Sequence, residues 1–296
     1  MTEELKEPVL LSEDIDGVRT LTLNRPHRKN AIDPELWAAL RDALIAAGTD
    51  RSVRVLVITG AGGAFCSGAD VSALATATHP VYRMRTLSEI ALLLHELPIP
   101  TVAKVTGVAV GAGWNLALGC DLVVATPEST FSQIFARRGL SVDLGGSWLL
   151  PKLVGLQQAK RLALLAELID AEQARSLNLV TWVVPAPEID AFVTDLGARL
   201  TAGPPIALAQ AKALLNEGAD RTLRDALANE ARAQGVNFAT ADAAEAFAAF
   251  AEKRTPSFTG EWAVRSADPP APGPSTPGQP SPTTASAPAT PGGSDA

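Results

Sequence analysis

The chain has 296 residues, of which 47% are hydrophobic and 19% are charged, and its net charge is −7. This composition is typical of a globular protein with a sizeable core. The acidic balance argues against nucleic acid or an anionic membrane surface as a partner. No apolar run approaches the roughly 20 residues that a membrane span needs, and the acidic start of the chain does not resemble a secretory signal. We therefore expect a cytoplasmic protein with two buried free thiols, Cys66 and Cys120.

The first half of the chain alternates strand and helix patterns, and the second half is helical. Strands are predicted at 18–25, 53–60, 101–107 and 121–126, with helices between them at 34–48 and about 82–96. Asp33 is the predicted N-cap of the first helix. Further helices are predicted at 146–154, 156–167, 188–201, 204–216, 222–237 and 240–251. The order of elements predicts an α/β core over residues 1–200 and a helical C-terminal region over 201–262.

The last segment, residues 263–296, has a different composition from the rest of the chain. From Arg265 onward it contains no Leu, Ile, Val, Phe or Trp and is rich in Pro, Ser and Thr. Such a segment buries too little apolar surface to offset the entropy lost on ordering. We predict a disordered tail.

Two strands end in glycine-rich segments, ITGAGGAFCSGAD at 58–70 and VTGVAVGAGWNLALG at 105–119. Neither contains GxxxxGK[ST], nor GxGxxG directly after a strand, so the patterns disfavour nucleotide-binding loops. The glycines could serve only to make tight turns. Because each segment runs into helix-forming sequence, they could instead expose backbone N–H groups toward a developing negative charge. Two such donors together form an oxyanion hole.

These segments carry a family resemblance. SGAD, followed about 40 residues later by G-x-G-x-x-L-x-x-x-C-D, resembles the crotonase (enoyl-CoA hydratase/isomerase) superfamily, as do LNRPHRKNAID, GGSWLLPKLVG and FAEKRTPSFTG. The resemblance covers about residues 9–262. It implies a spiral core of repeated ββα units, C-terminal helices that form a trimer or a dimer of trimers, and an acyl-CoA thioester substrate of fatty-acid metabolism. It implies no cofactor beyond the CoA of the substrate.

The resemblance also implies roles for individual residues. The backbone N–H groups of Ala69 and Ala112 would be the oxyanion donors. The CoA-binding set would comprise Arg28, Ala31, Ala69, Asp70, Val71 and Ala112, together with Phe250 and Lys253, which match positions that reach CoA in a neighbouring subunit. Ser72 stands where some members have a lysine for the CoA phosphates. For Phe250 and Lys253, the alternative is an ordinary basic helix end.

The catalytic side chains depart from the hydratase pattern. Similar hydratases carry two carboxylates where this chain has Asn115 and Phe135, and neither of these residues transfers a proton. Asn115 could still orient the substrate by hydrogen bonding. Asp143 matches the catalytic aspartate of some isomerases and of a dehalogenating branch, and burial would raise its pKa and make it a better base. The alternative is that Asp143 caps the following helix.

The leading hypothesis is an enoyl-CoA double-bond isomerase in which Asp143 moves the proton. One alternative is a hydratase or acyl-CoA hydrolase that uses Asp143 and water. An alternative of another class is a non-catalytic acyl-CoA-binding or assembly protein, because carboxylates are missing at positions 115 and 135. The three histidines, His27, His79 and His95, lie on separate elements and indicate no metal site.

Overall fold

A computed structural model of the chain describes residues 7–73 and 79–263. Its strands are β1 (Leu10–Ile15), β2 (Val18–Leu23), β3 (Val55–Gly60), β4 (Thr101–Val105), β5 (Val108–Val110), β6 (Leu122–Ala125), β7 (Thr130–Ser132), β8 (Ile169–Asp170) and β9 (Trp182–Val183). Its helices are α1 (Pro34–Thr49), α2 (Pro80–His95), α3 (Ala112–Leu118), α4 (Gly146–Leu165), α5 (Ala171–Ser176), α6 (Ile189–Thr201), α7 (Pro205–Gly218), α8 (Leu223–Phe238) and α9 (Ala241–Glu252). Apart from Ala263, the predicted tail lies outside the described residues.

The strands form two sheets. The larger sheet has the order β1-β2-β3-β4-β6-β9, in which β1 and β2 are antiparallel and every later pairing is parallel. The smaller sheet has the order β5-β7-β8. Strand β3 is buried at five of its six residues, as expected for a parallel strand covered on both faces. The four predicted strands are confirmed, whereas the edge strand β1 and the short strands β5, β7, β8 and β9 were not predicted.

Helix α1 shows why the amphipathic helices were predictable. The side chain of Asp33 accepts a hydrogen bond from the Leu36 N–H at 2.9 Å, and Pro34 occupies the first helical position. The helix buries Leu36, Trp37, Leu40 and Leu44 in the main core. The predicted helix and its predicted cap are both confirmed.

The second half of the chain is mostly helical, as predicted. Helix α4 contains one non-helical residue, Gly155, with φ 76° and ψ 159°, and this break separates the two helices predicted at 146–154 and 156–167. In the C-terminal region α7 packs against α8, and α8 packs against α9. The α/β class with a helical C-terminal region is therefore confirmed.

None of the helices in the described ranges is long and apolar enough to cross a membrane. Cys66 and Cys120 are both buried free thiols, and burial raises the pKa of each to about 12. Both thiols are therefore protonated at neutral pH and pack as small apolar groups.

Candidate active site

The two glycine-rich segments lie side by side. The Cys66 N–H donates to the Val108 carbonyl at 2.9 Å, and the Val110 N–H donates to the Cys66 carbonyl at 3.0 Å. The approach is so close that a Cβ added to Gly113 would lie 2.5 Å from the Cys66 carbonyl oxygen. The bare backbone at Gly113 is therefore a packing requirement that brings the two segments together.

The predicted oxyanion donors lie where these segments meet. Ile32 bonds to the residues on either side of Ala69: its N–H donates to the Gly68 carbonyl, and its carbonyl accepts from the Asp70 N–H. Because N–H groups alternate along an extended chain, the Ala69 N–H faces the opposite side. Ala112 is the first residue of α3, so its N–H has no acceptor within the helix. In the part of the chain that the structure describes, neither N–H has a protein acceptor, as an oxyanion hole requires.

The entry to α3 depends on Gly111, which has φ 57° and ψ −129°, a conformation that other residues rarely adopt. Its N–H donates to the Ser132 carbonyl at 2.9 Å. A Cβ on Gly111 would lie 3.8 Å from the ring of Phe135, a buried side chain. The position where the resemblance implies a carboxylate in hydratases therefore holds an apolar ring beside Ala112, the predicted oxyanion donor.

Asp143 lies in the tight turn before α4. The two following residues, Leu144 and Gly145, have φ values of 47° and 79°, and the N-cap of α4 is Gly145. The Gly146 N–H donates to the Asp143 backbone carbonyl at 2.9 Å. The alternative that the Asp143 carboxylate caps α4 is therefore wrong. The N-cap is two residues further along the chain, and no side chain of the described residues makes a capping hydrogen bond to this helix.

The carboxyl group of Asp143 is partly buried and poorly partnered. Its Oδ1 atom is inaccessible to solvent and has no hydrogen-bond partner. This burial raises the pKa of Asp143 from 3.8 to about 6. A carboxylate that has lost hydration without gaining an ion-pair partner is a stronger base than an exposed one. The pKa of Asp143 therefore lies close to neutral pH, which favours general acid–base chemistry.

Asn115 lies between Asp143 and a second buried amide. Its side chain is 1% exposed, its Nδ2 donates to the Asp143 carbonyl at 2.8 Å, and its Oδ1 accepts from Gln133 Nε2 at 2.7 Å. Sequence reasoning missed Gln133, although a polar residue between Phe131 and Phe135 was a signal of a buried polar contact. The predicted role of Asn115 in orienting substrate stays a prediction.

An apolar cavity of about 280 Å³ begins at Asn115 and extends between α2 and α4. Its lining residues include Ile90, Leu94, His95, Leu116, Leu144 and Leu149. His95 lies edge-on to Trp148 with ring centroids 5.0 Å apart, and burial lowers the pKa of His95, which favours a neutral ring. A cavity of this size and polarity suits an acyl group.

Most of the predicted CoA-binding residues come together at the loops that precede α1 and follow β3. The Ser67 N–H and hydroxyl donate to the Lys29 and Arg28 carbonyls, at 2.9 and 3.1 Å, so the loop of Arg28 and Ala31 lies against the loop that carries Ala69. Arg28 and Val71 are both exposed.

Arg25, which the sequence analysis did not single out, holds these loops. Its guanidinium lies 3.0 Å from the Asp70 carboxylate and 3.1 Å from the Asp33 carboxylate, and it also donates to the Ala31 carbonyl. The Ser72 hydroxyl, and then Arg25, hold the pKa of Asp70 below its usual range. The Asp70 carboxylate is therefore committed to the loop structure, so any contact that Asp70 makes with CoA would use its backbone.

Phe250 and Lys253 lie at the end of α9, the last helix among the described residues. The Phe250 side chain is 87% exposed, and Lys253 is the left-handed C-cap of the helix. Their predicted contact with CoA would involve a neighbouring subunit and stays a prediction.

Comparison with known proteins agrees with this geometry. The enoyl-CoA hydratase/isomerase family model matches residues 13–261. A Rhodobacter capsulatus protein named "probable enoyl-CoA hydratase" is 39% identical over 250 residues, which cover 83% of this chain and 95% of the relative. The 1,2-epoxyphenylacetyl-CoA isomerase of Escherichia coli is 37% identical over 258 residues, which cover 85% of this chain and 98% of the relative.

Solved structures show the same fold. An enoyl-CoA hydratase from Polaromonas superposes with a TM-score of 0.80 at 34% identity, covering 84% of this chain and 99% of the other. An enoyl-CoA hydratase from Mycobacterium smegmatis superposes with a TM-score of 0.80 at 33% identity, covering 87% of this chain and 100% of the other. The chain therefore has the crotonase fold and belongs to the enoyl-CoA hydratase/isomerase family.

Proposed function

We propose that this protein is an enoyl-CoA isomerase that moves a carbon–carbon double bond by proton transfer through Asp143. The observation that carries the proposal is the state of this carboxyl group: it has a buried oxygen without a partner and a pKa raised to about 6. It lies in a site where Asn115 and Phe135 replace the two carboxylates of a hydratase.

The reaction follows from two parts of the site. The Ala69 and Ala112 N–H groups bind the thioester oxygen and stabilise the enolate that forms on it, and such a donor contributes roughly 10²–10³ in rate. The ionised Asp143 carboxylate removes a proton from C2 of a 3-enoyl-CoA, which gives a dienolate. The same carboxyl group then returns the proton at C4, so that the double bond moves from C3–C4 to C2–C3. Protons and electrons balance without any cofactor beyond the CoA of the substrate.

Water addition is the second candidate, and the names of relatives favour it. Besides the Rhodobacter protein, the relatives include a crotonyl-CoA hydratase from Syntrophomonas wolfei, 32% identical over 255 residues. A hydratase or hydrolase here would have to activate water with Asp143 alone, because Phe135 puts an apolar ring where a hydratase has a carboxylate. We therefore favour isomerisation.

The cavity between α2 and α4 is the proposed acyl site. Its volume of about 280 Å³ and its apolar lining suit a medium-length chain or a ring, and the E. coli relative makes 1,2-epoxyphenylacetyl-CoA a further substrate to test. We also propose a cytoplasmic homotrimer or dimer of trimers, in which Phe250 and Lys253 reach the CoA bound by a neighbouring subunit.

The test is turnover of a panel of 3-enoyl-CoA and 2-enoyl-CoA esters with short, long and ring-bearing acyl groups, with products separated by chromatography and identified by mass spectrometry. Wild-type protein should convert the 3-enoyl-CoA esters into 2-enoyl isomers of unchanged mass and different retention time, and Asp143→Asn should lower kcat by at least 10²-fold. The matched control is Asp190→Asn, an exposed carboxylate whose contact is a surface ion pair with Lys104. Undiminished activity of Asp143→Asn would overturn the proposal. A mass gain of one water would favour the hydratase, and release of free CoA the hydrolase.

A further inference from the structure

The buried amides of Asn115 and Gln133 are not accounted for by the proton transfer itself. We infer that Asn115 and Gln133 are positioning residues that hold the Asp143 turn at a set distance from the Ala112 N–H. This inference rests on the proposed function, because it assumes that Asp143 is the base.

Gln133 donates a hydrogen bond to Asn115, and Asn115 donates one to the Asp143 carbonyl. A backbone carbonyl only accepts, so Asn115 has to present its Nδ2 to the Asp143 carbonyl, as observed at 2.8 Å. The Asn115 Oδ1 then faces the other way and needs a donor, which is Gln133 Nε2 at 2.7 Å. The Asp143 carbonyl therefore selects the orientation of the Asn115 amide, and Gln133 supplies the donor that Asn115 Oδ1 needs in that orientation.

The packing around Asn115 leaves little freedom for its side chain. A Cβ added to Gly146 would lie 2.4 Å from Asn115 Nδ2 and 2.8 Å from Oδ1, so the start of α4 contacts the amide directly. Asn115 and Gln133 are 1% and 0% exposed. Amides buried at this depth cost free energy unless they are hydrogen-bonded. Both polar atoms of the Asn115 amide have partners, one of which is the backbone of the proposed base, whereas Gln133 Oε1 has none among the described residues.

The same helix links the base to the oxyanion hole. Ala112 is the first residue of α3, and Asn115 lies one turn later, with its N–H bonded to the Gly111 carbonyl at 3.0 Å. One rigid helical turn therefore carries both the N–H that binds the thioester oxygen and the side chain that holds the turn of the base. Catalytic groups have to be held closely, because a misplacement of about 1 Å can cost on the order of 10²-fold in rate.

The turn itself needs such support. Leu144 follows Asp143 with a φ of 47°, a left-handed conformation that is unfavourable for a residue with a branched apolar side chain. The Asp143 carbonyl accepts from both Gly146 N–H and Asn115 Nδ2. The second bond comes from outside the turn and ties it to α3.

Gln133 provides the cleanest test, because it is fully buried and does not line the acyl cavity described above. We expect Gln133→Met to lower kcat about tenfold with KM within about twofold, and Asn115→Leu to lower kcat by on the order of 10²-fold. The acid limb of the pH–rate profile should move to lower pH in both variants, because a released turn exposes the carboxyl group to water. In the Asp143→Asn background, Gln133→Met should cause no further loss, since it acts through Asp143.

Ser132→Ala is the matched control. Ser132 is adjacent to Gln133, is equally buried, and donates to the Ala166 carbonyl at 3.1 Å. Its loss should lower the melting temperature but leave kcat and the acid limb unchanged. If Asn115→Leu does not fold, Gln133→Met still provides the test.

Each of four results would contradict the inference or the function on which it rests. Unchanged kcat and pH profile in a folded Gln133→Met protein would show that the pair is merely structural. A raised KM with unchanged kcat in Asn115→Leu would mean that Asn115 orients substrate. Full activity of Asp143→Asn would remove the proposed function itself. Loss of activity in Asp143→Asn with no effect of Gln133→Met would remove only the positioning role.

Discussion

Replacing the proposed base should make the protein more stable while it lowers kcat by at least 10²-fold. Burial raises the pKa of Asp143 from 3.8 to about 6, so the native state binds this proton more tightly than the unfolded state does. The free energy of unfolding of the wild type therefore falls as pH rises from about 4 to about 6 and stays lower above that range. At about 1.4 kcal/mol for each pKa unit, the ionised carboxylate destabilises the fold by at most about 3 kcal/mol at neutral pH.

Asp143→Asn removes this charge and keeps the shape of the side chain. We expect the variant to be more stable than wild type by about 1–2 kcal/mol at pH 8, less than the limit because the new amide also has to bury polar atoms. For a chain of this size, that corresponds to a rise in melting temperature of roughly 2–6 °C. The gain should disappear below about pH 4, where Asp143 is protonated in both states.

Thermal melts at fixed protein concentration from pH 4 to pH 8 measure this difference directly, and turnover of a 3-enoyl-CoA is measured on the same samples. A substitution that raises stability and lowers activity at one residue indicates a functional group held in an unfavourable environment. A variant that is less stable than wild type at pH 8, or a difference that does not depend on pH, would refute the reasoning from burial.

Three further predictions concern the pH profile and the supports of the site. The kcat/KM of the wild type should decline below an apparent pKa of about 6, set by Asp143; a profile flat down to pH 5 would contradict this. Arg25→Met should lower the free energy of unfolding by roughly 2–4 kcal/mol in urea melts, because it leaves the buried Asp70 carboxylate without its ion-pair partner; a loss below about 1 kcal/mol would contradict the importance of this contact. Gly146→Ala should lower kcat at least tenfold, since the added Cβ would lie 2.4 Å from Asn115 Nδ2; unchanged kcat would show that the amide tolerates displacement.

The sequence predicted those helices and strands whose hydrophobic spacing and capping residues lie within one short segment of the chain. The cap at Asp33, the amphipathic face of α1 and the buried strand β3 all follow from local spacing. Strands of two or three residues, such as β8 and β9, have no periodicity of their own. They form because neighbouring strands present free hydrogen-bonding groups, which depends on tertiary structure.

Within the candidate site, single residues were predictable and their partnerships were not. Asp143 was identified by resemblance and by its apolar neighbours, and the burial that raises its pKa is present in the structure. That Gln133 donates to Asn115, or that Arg25 joins Asp70 to Asp33, depends on contacts between segments far apart in the chain. A single sequence carries no signal for such pairs.

The direct test of proton transfer by Asp143 is a single-turnover reaction of 3-enoyl-CoA deuterated at C2, analysed by mass spectrometry and NMR. Transfer by one carboxyl group predicts a 2-enoyl-CoA product with no added water and with part of the deuterium at C4. A product that has gained one water, or a C4 hydrogen derived wholly from solvent, would contradict it.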